Sequence, residues 1–286
     1  MVNIVAGMMP LLRALMKKAG IEQHTVEIVP GTIVNIWVPS ETIKKPNKSK
    51  KTTTSAAASP GDIIKPSKPV VVLLHGFVGD GIITWPFQVA SLSKKYSVYV
   101  PDFLFFGGST TDSSDRSPTF QAECLVKALR KLGIERCTVV GFSYGGMVAF
   151  RMAELYPELV EAVVASGAVP ALTESITDDL LNGIGFSSLP ELLLPNTVQG
   201  CKRLLRTGAD MKLWFPDRAY KDFLEVMFDN RKERTELLQE LIVSDKGYVP
   251  PRFPQVVYMS FYFQMYIRVA IVLCRVNECR VEVRIL

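Results

Sequence analysis

The stretch that most constrains this chain is Gly141-Phe142-Ser143-Tyr144-Gly145. The β-rich run Cys137-Thr138-Val139-Val140 enters it, and the apolar helical pattern Met147-Val148-Ala149-Phe150 leaves it. Bare Gly-x-Ser-x-Gly occurs by chance in loops; a strand before it and a helix after it give it a physical reading. In such a strand-turn-helix the serine is held in a strained backbone conformation with its Oγ projecting from the sheet edge, a nucleophile elbow. The strand and helix crowd the positions two before and two after the serine, so Gly141 and Gly145 stand where a Cβ would clash.

The rest of the chain is arranged around that turn. Ile4, Val5, Met8, Leu11, Leu12, Leu15 and Met16 recur at helical spacing, Arg13, Lys17 and Lys18 lie toward the end, and Gly20 stops the pattern. This predicts an amphipathic helix over 1–20 packed on the body of the protein, with a peripheral membrane contact as the alternative. Residues 26–29 and 32–38 read as a hairpin through Pro30-Gly31. The unbroken apolar run 70–74 is that of a strand buried on both faces of a parallel sheet, and 98–100 is a second, with helix-like 85–95 between them. Ser117-Pro118 opens a helix that shows Phe120, Cys124, Leu125 and Leu129 on one side and closes at Gly133; 160–165 is a further buried strand. Strands alternating with helices at this spacing predict an α/β fold with a doubly wound, mostly parallel sheet.

From 173 to 246 the pattern changes to helices only, over 178–184, 197–205, 218–227 and 231–242, the last with Asn230 and Glu233 placed as a capping box. An all-helical insertion between strands reads as a helical lid. Its apolar residues, Leu192, Leu193, Leu194, Trp214 and Phe215 among them, are packing residues first and pocket-lining residues second. The expected organisation is thus an N-terminal helix over 1–20, a core over 21–170 with a flexible Lys-rich loop at 41–69, a lid over 171–249 and a tail over 250–286.

Composition excludes several other classes. At 286 residues, 48% apolar and 21% charged, the chain can bury one large α/β core plus an insertion. Between Glu41 and Pro69 seven lysines face only Glu41 and Asp62, which accounts for the whole net charge of +5. Without interleaved aromatics this is a solvated loop, or a targeting or anionic-surface segment, and no nucleic-acid groove is indicated. The five cysteines are odd in number and form no Cys-x-x-Cys or His/Cys cluster, which argues a reducing, cytoplasmic compartment, no structural metal and no cofactor. Asn47-Lys48-Ser49 would be a glycosylation acceptor only in a secreted protein, and the N-terminus lacks the basic start and small-residue cleavage site of a signal peptide.

Two further motifs accompany the elbow: His75-Gly76-Phe77 directly after the run 70–74, and Pro101-Asp102 followed by Gly107-Gly108-Ser109 after the run 98–100. In this order and spacing the three motifs resemble the α/β-hydrolase fold family over residues 22–255, most of all its lidded serine esterases and monoacylglycerol lipase-like and plant carboxylesterase-like members. The epoxide hydrolases and dehalogenases of that fold carry aspartate as nucleophile, so Ser143 argues against them. The resemblance implies that Ser143 is the nucleophile toward a small lipophilic acyl ester, and that the backbone N–H groups of Tyr144 and Phe77 form the oxyanion hole. It implies that His75 pins its loop, that Asp102 caps its own turn rather than serving the triad, and that Gly76, Gly141 and Gly145 support these turns.

The family also needs a base for the serine proton, and an acid that fixes the tautomer of that base. Its acid follows the seventh strand of the family sheet and its histidine follows the eighth. The only histidines here are His24 and His75, both before Ser143, so the triad acid and histidine are absent. After Gln255 every family landmark is lost, and 256–274 is a largely apolar run. The expectation is a divergent end, such as a retained intron or a misassigned last exon, in which 256–263 supplies the seventh strand. A tail anchor is the alternative, against which Ser260, Gln264 and Arg268 count. Three functions follow: a serine hydrolase by lineage that is inactive or impaired as this chain, a non-catalytic ligand- or partner-binding relative, or a product too incomplete to fold stably.

Overall fold

Successive residues of Val70–Leu74 turn to opposite sides of the sheet, and both sides are covered: Val70, Val72 and Leu74 join one apolar cluster, Val71 and Leu73 the other. The computed structural model describes residues 3–43, 64–209, 215–251 and 258–259. The chain enters through α1 (Ile4–Lys18), whose N-cap Asn3 accepts from the Ala6 amide, and turns at Gly20. The strands β1 (Ile21–Val29) and β2 (Thr32–Pro39) form an antiparallel hairpin, starting five residues earlier than the periodicity predicts.

The central strands follow as β3 (Val70–Leu74), β4 (Ser97–Pro101), the short β5 (Thr110–Thr111), β6 (Cys137–Phe142) and β7 (Val160–Ser166). β3 pairs in parallel with β4 and β6, and β6 with β7, while β2 joins β4 antiparallel. With β10 (Tyr258–Met259) parallel to β7, the sheet order is β1-β2-β4-β3-β6-β7-β10, and β5 pairs with β2. The reading is confirmed as a mostly parallel α/β sheet covered by helices on both faces. Of the seventh strand expected over 256–263, only the two residues of β10 are described, and the expected anchor over 256–274 otherwise lies outside the described residues.

One face is covered by α4 (Pro118–Lys131) and α5 (Tyr144–Leu155), which contribute Leu125, Leu129, Val148 and Phe150 to the larger cluster. Ser117 caps α4 by accepting from the Phe120 amide, as its place before Pro118 predicts. The other face is covered by α1 through Leu12 and Met16, and by α2 (Gly81–Thr84) and α3 (Pro86–Leu92) through Ile82 and Val89. The helix expected over 85–95 is α3, and the short α2 that precedes it was not anticipated. Pro86 has no N–H to continue a helix from 81–84, so the chain restarts there with Trp85 as the joint.

The segment after β7 is corrected in four places. Among the described residues it holds β8 (Leu172–Thr173), α6 (Glu174–Ile184), α7 (Leu189–Leu193), α8 (Val198–Ala209), α9 (Asp217–Met227), α10 (Arg231–Gln239) and β9 (Ile242–Val243). It is not helices only: β8 and β9 pair in parallel, so the two ends of the segment lie side by side. Thr173 caps α6 four residues before its expected start, and α7, opened by Ser188, was not anticipated. Asn230 makes no capping box. It sits in the left-handed region at φ 46 and sends its Nδ2 to the Phe105 carbonyl at 3.1 Å.

α10 is tied to the core by Arg234, whose guanidinium is buried. Its Nε donates to the Phe105 carbonyl at 3.0 Å, its Nη1 to the Met227 carbonyl at 2.6 Å and its Nη2 to Asp229, and it stacks 4.1 Å from the Phe106 ring. Removing it leaves buried carbonyls without donors, at about 1–3 kcal/mol each. Arg234→Met is expected to cost about 2–4 kcal/mol in urea unfolding, and Arg234→Lys most of that, because one ammonium cannot reach three acceptors.

Candidate active site

Ser143 has φ 52 and ψ −121, one of three non-glycine residues with positive φ among the described residues. Such a conformation costs on the order of 1–3 kcal/mol and persists only where its surroundings impose it. Here the Ser143 amide donates to the Ser166 carbonyl at the end of β7, at 2.8 Å, and the Ser143 carbonyl accepts from the Gly146 amide at 2.9 Å. A Cβ on Gly141 would lie 2.4 Å from the Gly145 carbonyl oxygen, and one on Gly145 2.4 Å from that of Leu74. Both contacts are with backbone, which cannot move aside. Gly146 is a further close approach, its Cβ position lying 2.4 Å from that of Ala168. The Ser143 side chain makes no capping hydrogen bond and is half-buried.

Tyr144 begins α5, and Phe77 follows β3 through His75-Gly76. Both residues are buried. Among the described residues neither backbone N–H has a protein acceptor. A buried amide left unpaired costs about 1–3 kcal/mol. The N-terminal end of the α5 dipole favours negative charge at that point.

An aromatic floor fixes these residues. The Phe77 ring packs edge-on against Phe106 at 5.2 Å and Tyr144 at 5.6 Å, and Tyr144 packs edge-on against Phe103 at 5.1 Å. The Tyr144 hydroxyl is buried without a partner among the described residues, and burial pushes its pKa upward. Phe105, with φ 72, closes the turn that carries this floor. Gln121 grips the adjacent Leu104, accepting from its amide at 3.0 Å and donating to its carbonyl at 3.3 Å.

His75 pins two loops. Its Nε2 accepts from the Phe103 amide at 3.0 Å, so the proton resides on Nδ1, which donates to the Gly76 carbonyl at 2.7 Å. Burial, with the Arg234 charge adding to it, pushes His75 down to about 3, so the ring is neutral at ordinary pH. Both nitrogens are occupied, and His75 has no lone pair to offer Ser143. His24 is on β1, separated from β6 by four strand-to-strand steps, roughly 19 Å. Neither histidine is placed to be the base.

Asp102 is buried at the junction of β2, β4 and α2. It accepts from the Asn35 side chain at 2.6 Å and the Gly81 amide at 2.9 Å, and the Ser109 hydroxyl donates to its carbonyl at 2.8 Å. Gly107, at φ +52, passes so close that a Cβ would lie 2.2 Å from its carboxylate. Burial pushes Asp102 up to about 7, and the nearby Asp80 carboxylate adds to the shift. Asp80 caps α2, accepting from the Ile83 amide at 3.0 Å, and burial raises it as well. Among the described residues no group of three or more His, Cys, Asp or Glu side chains is placed to hold a metal ion.

The structure therefore brings Ser143, Tyr144, Phe77, His75, Gly76, Gly141 and Gly145 to the ends of β3 and β6, with Asp102 at the end of β4. Arg234, Asn35 and Gln121 were missed. A polar Asn35 within an apolar strand was a readable signal; the charged run around Arg234 offered none.

Residues 69–199 match the family model of the alpha/beta hydrolase fold. An uncharacterized protein of Mycobacterium tuberculosis is 35% identical over 124 residues, which cover 43% of this chain and 35% of that protein. Human epoxide hydrolase 4 is 30% identical over 101 residues, 34% of this chain and 27% of its own. The chain thus spans roughly a third of the length of the curated relatives it matches. Among solved structures, a bacterial membrane phospholipase A has a TM-score of 0.61 at 20% identity, covering 90% of this chain and 74% of that one. The 2-hydroxy-6-oxo-6-phenylhexa-2,4-dienoate hydrolase of Rhodococcus sp. strain RHA1 gives 0.59 at 20% identity, covering 84% and 80%. At these identities the structural likeness speaks for the fold.

His75 and Asp102 titrate in opposite senses. His75 is depressed from its ordinary 6.5, so its contribution to stability is lost as pH falls from about 6.5 toward 3. Asp102 is raised, so its contribution is present below about 4 and lost as pH rises toward 7. Between about 4 and 6.5 the two oppose each other. Asp102→Asn removes one, and its unfolding free energy in urea is expected to rise with pH across that window more steeply than that of the unsubstituted protein, by up to about 1.4 kcal/mol per pH unit.

Proposed function

The chain belongs to the α/β-hydrolase fold family, and from that premise we propose that it is a carboxylic-ester serine hydrolase by lineage whose turnover is abolished or strongly impaired in this chain. In the proposed chemistry the Ser143 Oγ attacks the acyl carbonyl of a small lipophilic ester, and the carbonyl oxygen gains charge. The Phe77 and Tyr144 amides stabilise that oxyanion, collapse expels the alkoxide, which takes up by way of solvent the proton that Ser143 gives up and leaves as the alcohol, and water then hydrolyses the acyl-serine to the acid and the free Ser143 hydroxyl. Serine at the elbow supports acyl transfer over the epoxide opening named for one of the relatives. The helices after β7, α9 and α10 in particular, stand as a lid in this reading: a Cβ on Gly79 would come 3.8 Å from the Met227 sulfur, and Asn230 and Arg234 hold the Phe105 turn.

The single observation that carries the impairment is the engagement of His75. With Nε2 accepting from Phe103 and His24 strands away, neither histidine of this sequence is placed to take the Ser143 proton. Loss of that base from a serine triad costs about a millionfold in turnover, while a formed oxyanion hole retains about 10³–10⁴-fold over water. A second reading, a non-catalytic protein that binds a carbonyl or carboxylate ligand, is favoured by the two buried amides without acceptors.

The test is a fluorophosphonate probe on the purified full chain, with a thermal melt to establish that it is folded. Labelling of Ser143 is expected to be slower than in a triad hydrolase by several orders of magnitude, and to show no inflection near pH 6.5. Rapid stoichiometric labelling that disappears in Ser143→Ala would overturn the impairment and leave the serine assignment standing.

A further inference from the structure

Among the described residues no helix is long and apolar enough to cross a membrane; α10, the last of them, is seated on the turn that follows β4. In that turn Phe105 has φ 72, and Asn230, the N-cap of α10, has φ 46. With Ser143 these are the three non-glycine residues of positive φ among the described residues, and two of them share a hydrogen bond: the Asn230 Nδ2 donates to the Phe105 carbonyl at 3.1 Å. Asparagine tolerates the left-handed region and a bulky aromatic residue does not, so the strain lies at Phe105.

The bonds within the turn run from the Phe105 amide to the Ser109 carbonyl at 3.2 Å and from the Phe106 amide to the Phe103 carbonyl at 3.0 Å, and neither engages the Phe105 carbonyl. Among the described residues that buried carbonyl accepts only from α10 and its cap, through the Asn230 Nδ2 and the Arg234 Nε at 3.0 Å. The Phe105 ring lies 4.4 Å from the Arg116 guanidinium, whose Nε donates to Glu236 of α10 at 2.8 Å. The next residue, Phe106, lies 4.1 Å under the Arg234 guanidinium and meets Phe77 edge-on at 5.2 Å. The strained residue is thus held through α10, and its neighbour supports the loop that carries Phe77.

We propose that Phe105 is a strained latch through which α10 regulates the Phe77 loop. While α10 is docked, its donors fix the peptide between Phe105 and Phe106, and Phe106 supports Phe77. When α10 lifts, the Phe105 carbonyl turns to water, the residue relaxes to negative φ, and Phe106 is drawn away from Phe77. Release of the strain favours the undocked state, so closure of α10 and order in the Phe77 loop come and go together. This latch rests on the reading of α9 and α10 as a lid and does not depend on turnover at Ser143.

The experiment is hydrogen exchange of the full chain by mass spectrometry, followed in α10 and in 75–81, where the Gly81 amide is bonded to Asp102 at 2.9 Å. Asn230→Gly, at an exposed position, keeps positive φ accessible and removes one donor. With a cooperative melt retained, it is expected to speed exchange in both segments roughly fivefold or more. Phe105→Gly removes the strain at its source. Adding Asn230→Gly to it is expected to speed exchange in α10 while 75–81 stays as in Phe105→Gly alone. Faster exchange in α10 alone after Asn230→Gly overturns the proposal, because the contact is then only local. So does no change in either segment, or an equal rise at 75–81 with glycine at 105, since strain then plays no part. Exchange reads the latch and fluorophosphonate labelling reads Ser143, so either reading can fail while the other stands.

Discussion

The first turn of α5 runs so close to the ends of β3 and β6 that backbone occupies the space where side chains would begin. With 2.4 Å between a Gly145 Cβ and the Leu74 oxygen, and as little between a Gly141 Cβ and the Gly145 oxygen, only glycine permits the approach. That approach forces Ser143 to positive φ and leaves the Tyr144 amide at the free end of the helix. It also brings the β3 loop, with Phe77, beside the same point. The Ser143 conformation and the position of the Tyr144 amide are thus consequences of one steric constraint rather than of separately placed side chains.

A second layer holds the first. His75 ties the β3 loop to the Phe103 turn, Asp102 ties that turn to β2 and α2, and Gln121 and Arg234 grip it from α4 and α10. Each of these polar groups is buried and therefore obliged to find partners, and each finds them in backbone of a different element. The helices after β7 are joined to the core at the same turn that carries the aromatic floor. A disturbance at Arg234 is thereby transmitted to Phe106, and through its edge contact to Phe77.

What was legible in the sequence is what depends on periodicity and on local backbone. The unbroken run Val70–Leu74 announced a strand covered on both faces, and Gly-x-Ser-x-Gly announced the elbow, because both rest on near neighbours in the chain. Illegible features depend on partners distant in sequence. Asn230 looks like a cap beside Glu233, but the Phe105 carbonyl, 125 positions away, wins its side chain. Leu172–Thr173 and Ile242–Val243 are too short to show alternation and become strands only through each other. The helix from Pro86 was readable because proline, with no N–H to donate to the preceding turn, suits a helix start, whereas the four residues of α2 are too few to show a period.

The same distinction separates the Ser143 turn from the two histidines. The Tyr144 amide is placed by a strand, a turn and a helix that are contiguous in sequence, and Phe77 comes to it through the pairing of β3 with β6. A general base is a side chain delivered from elsewhere, and it works only if its lone pair faces the serine. Of the two histidines, one spends its lone pair on the Phe103 amide and the other stands on the far side of the sheet. The constraint that preserves the elbow therefore carries no information about proton transfer. The strand, turn and helix hold the Ser143 turn and the Tyr144 amide in place whether or not a side chain able to take a proton faces them.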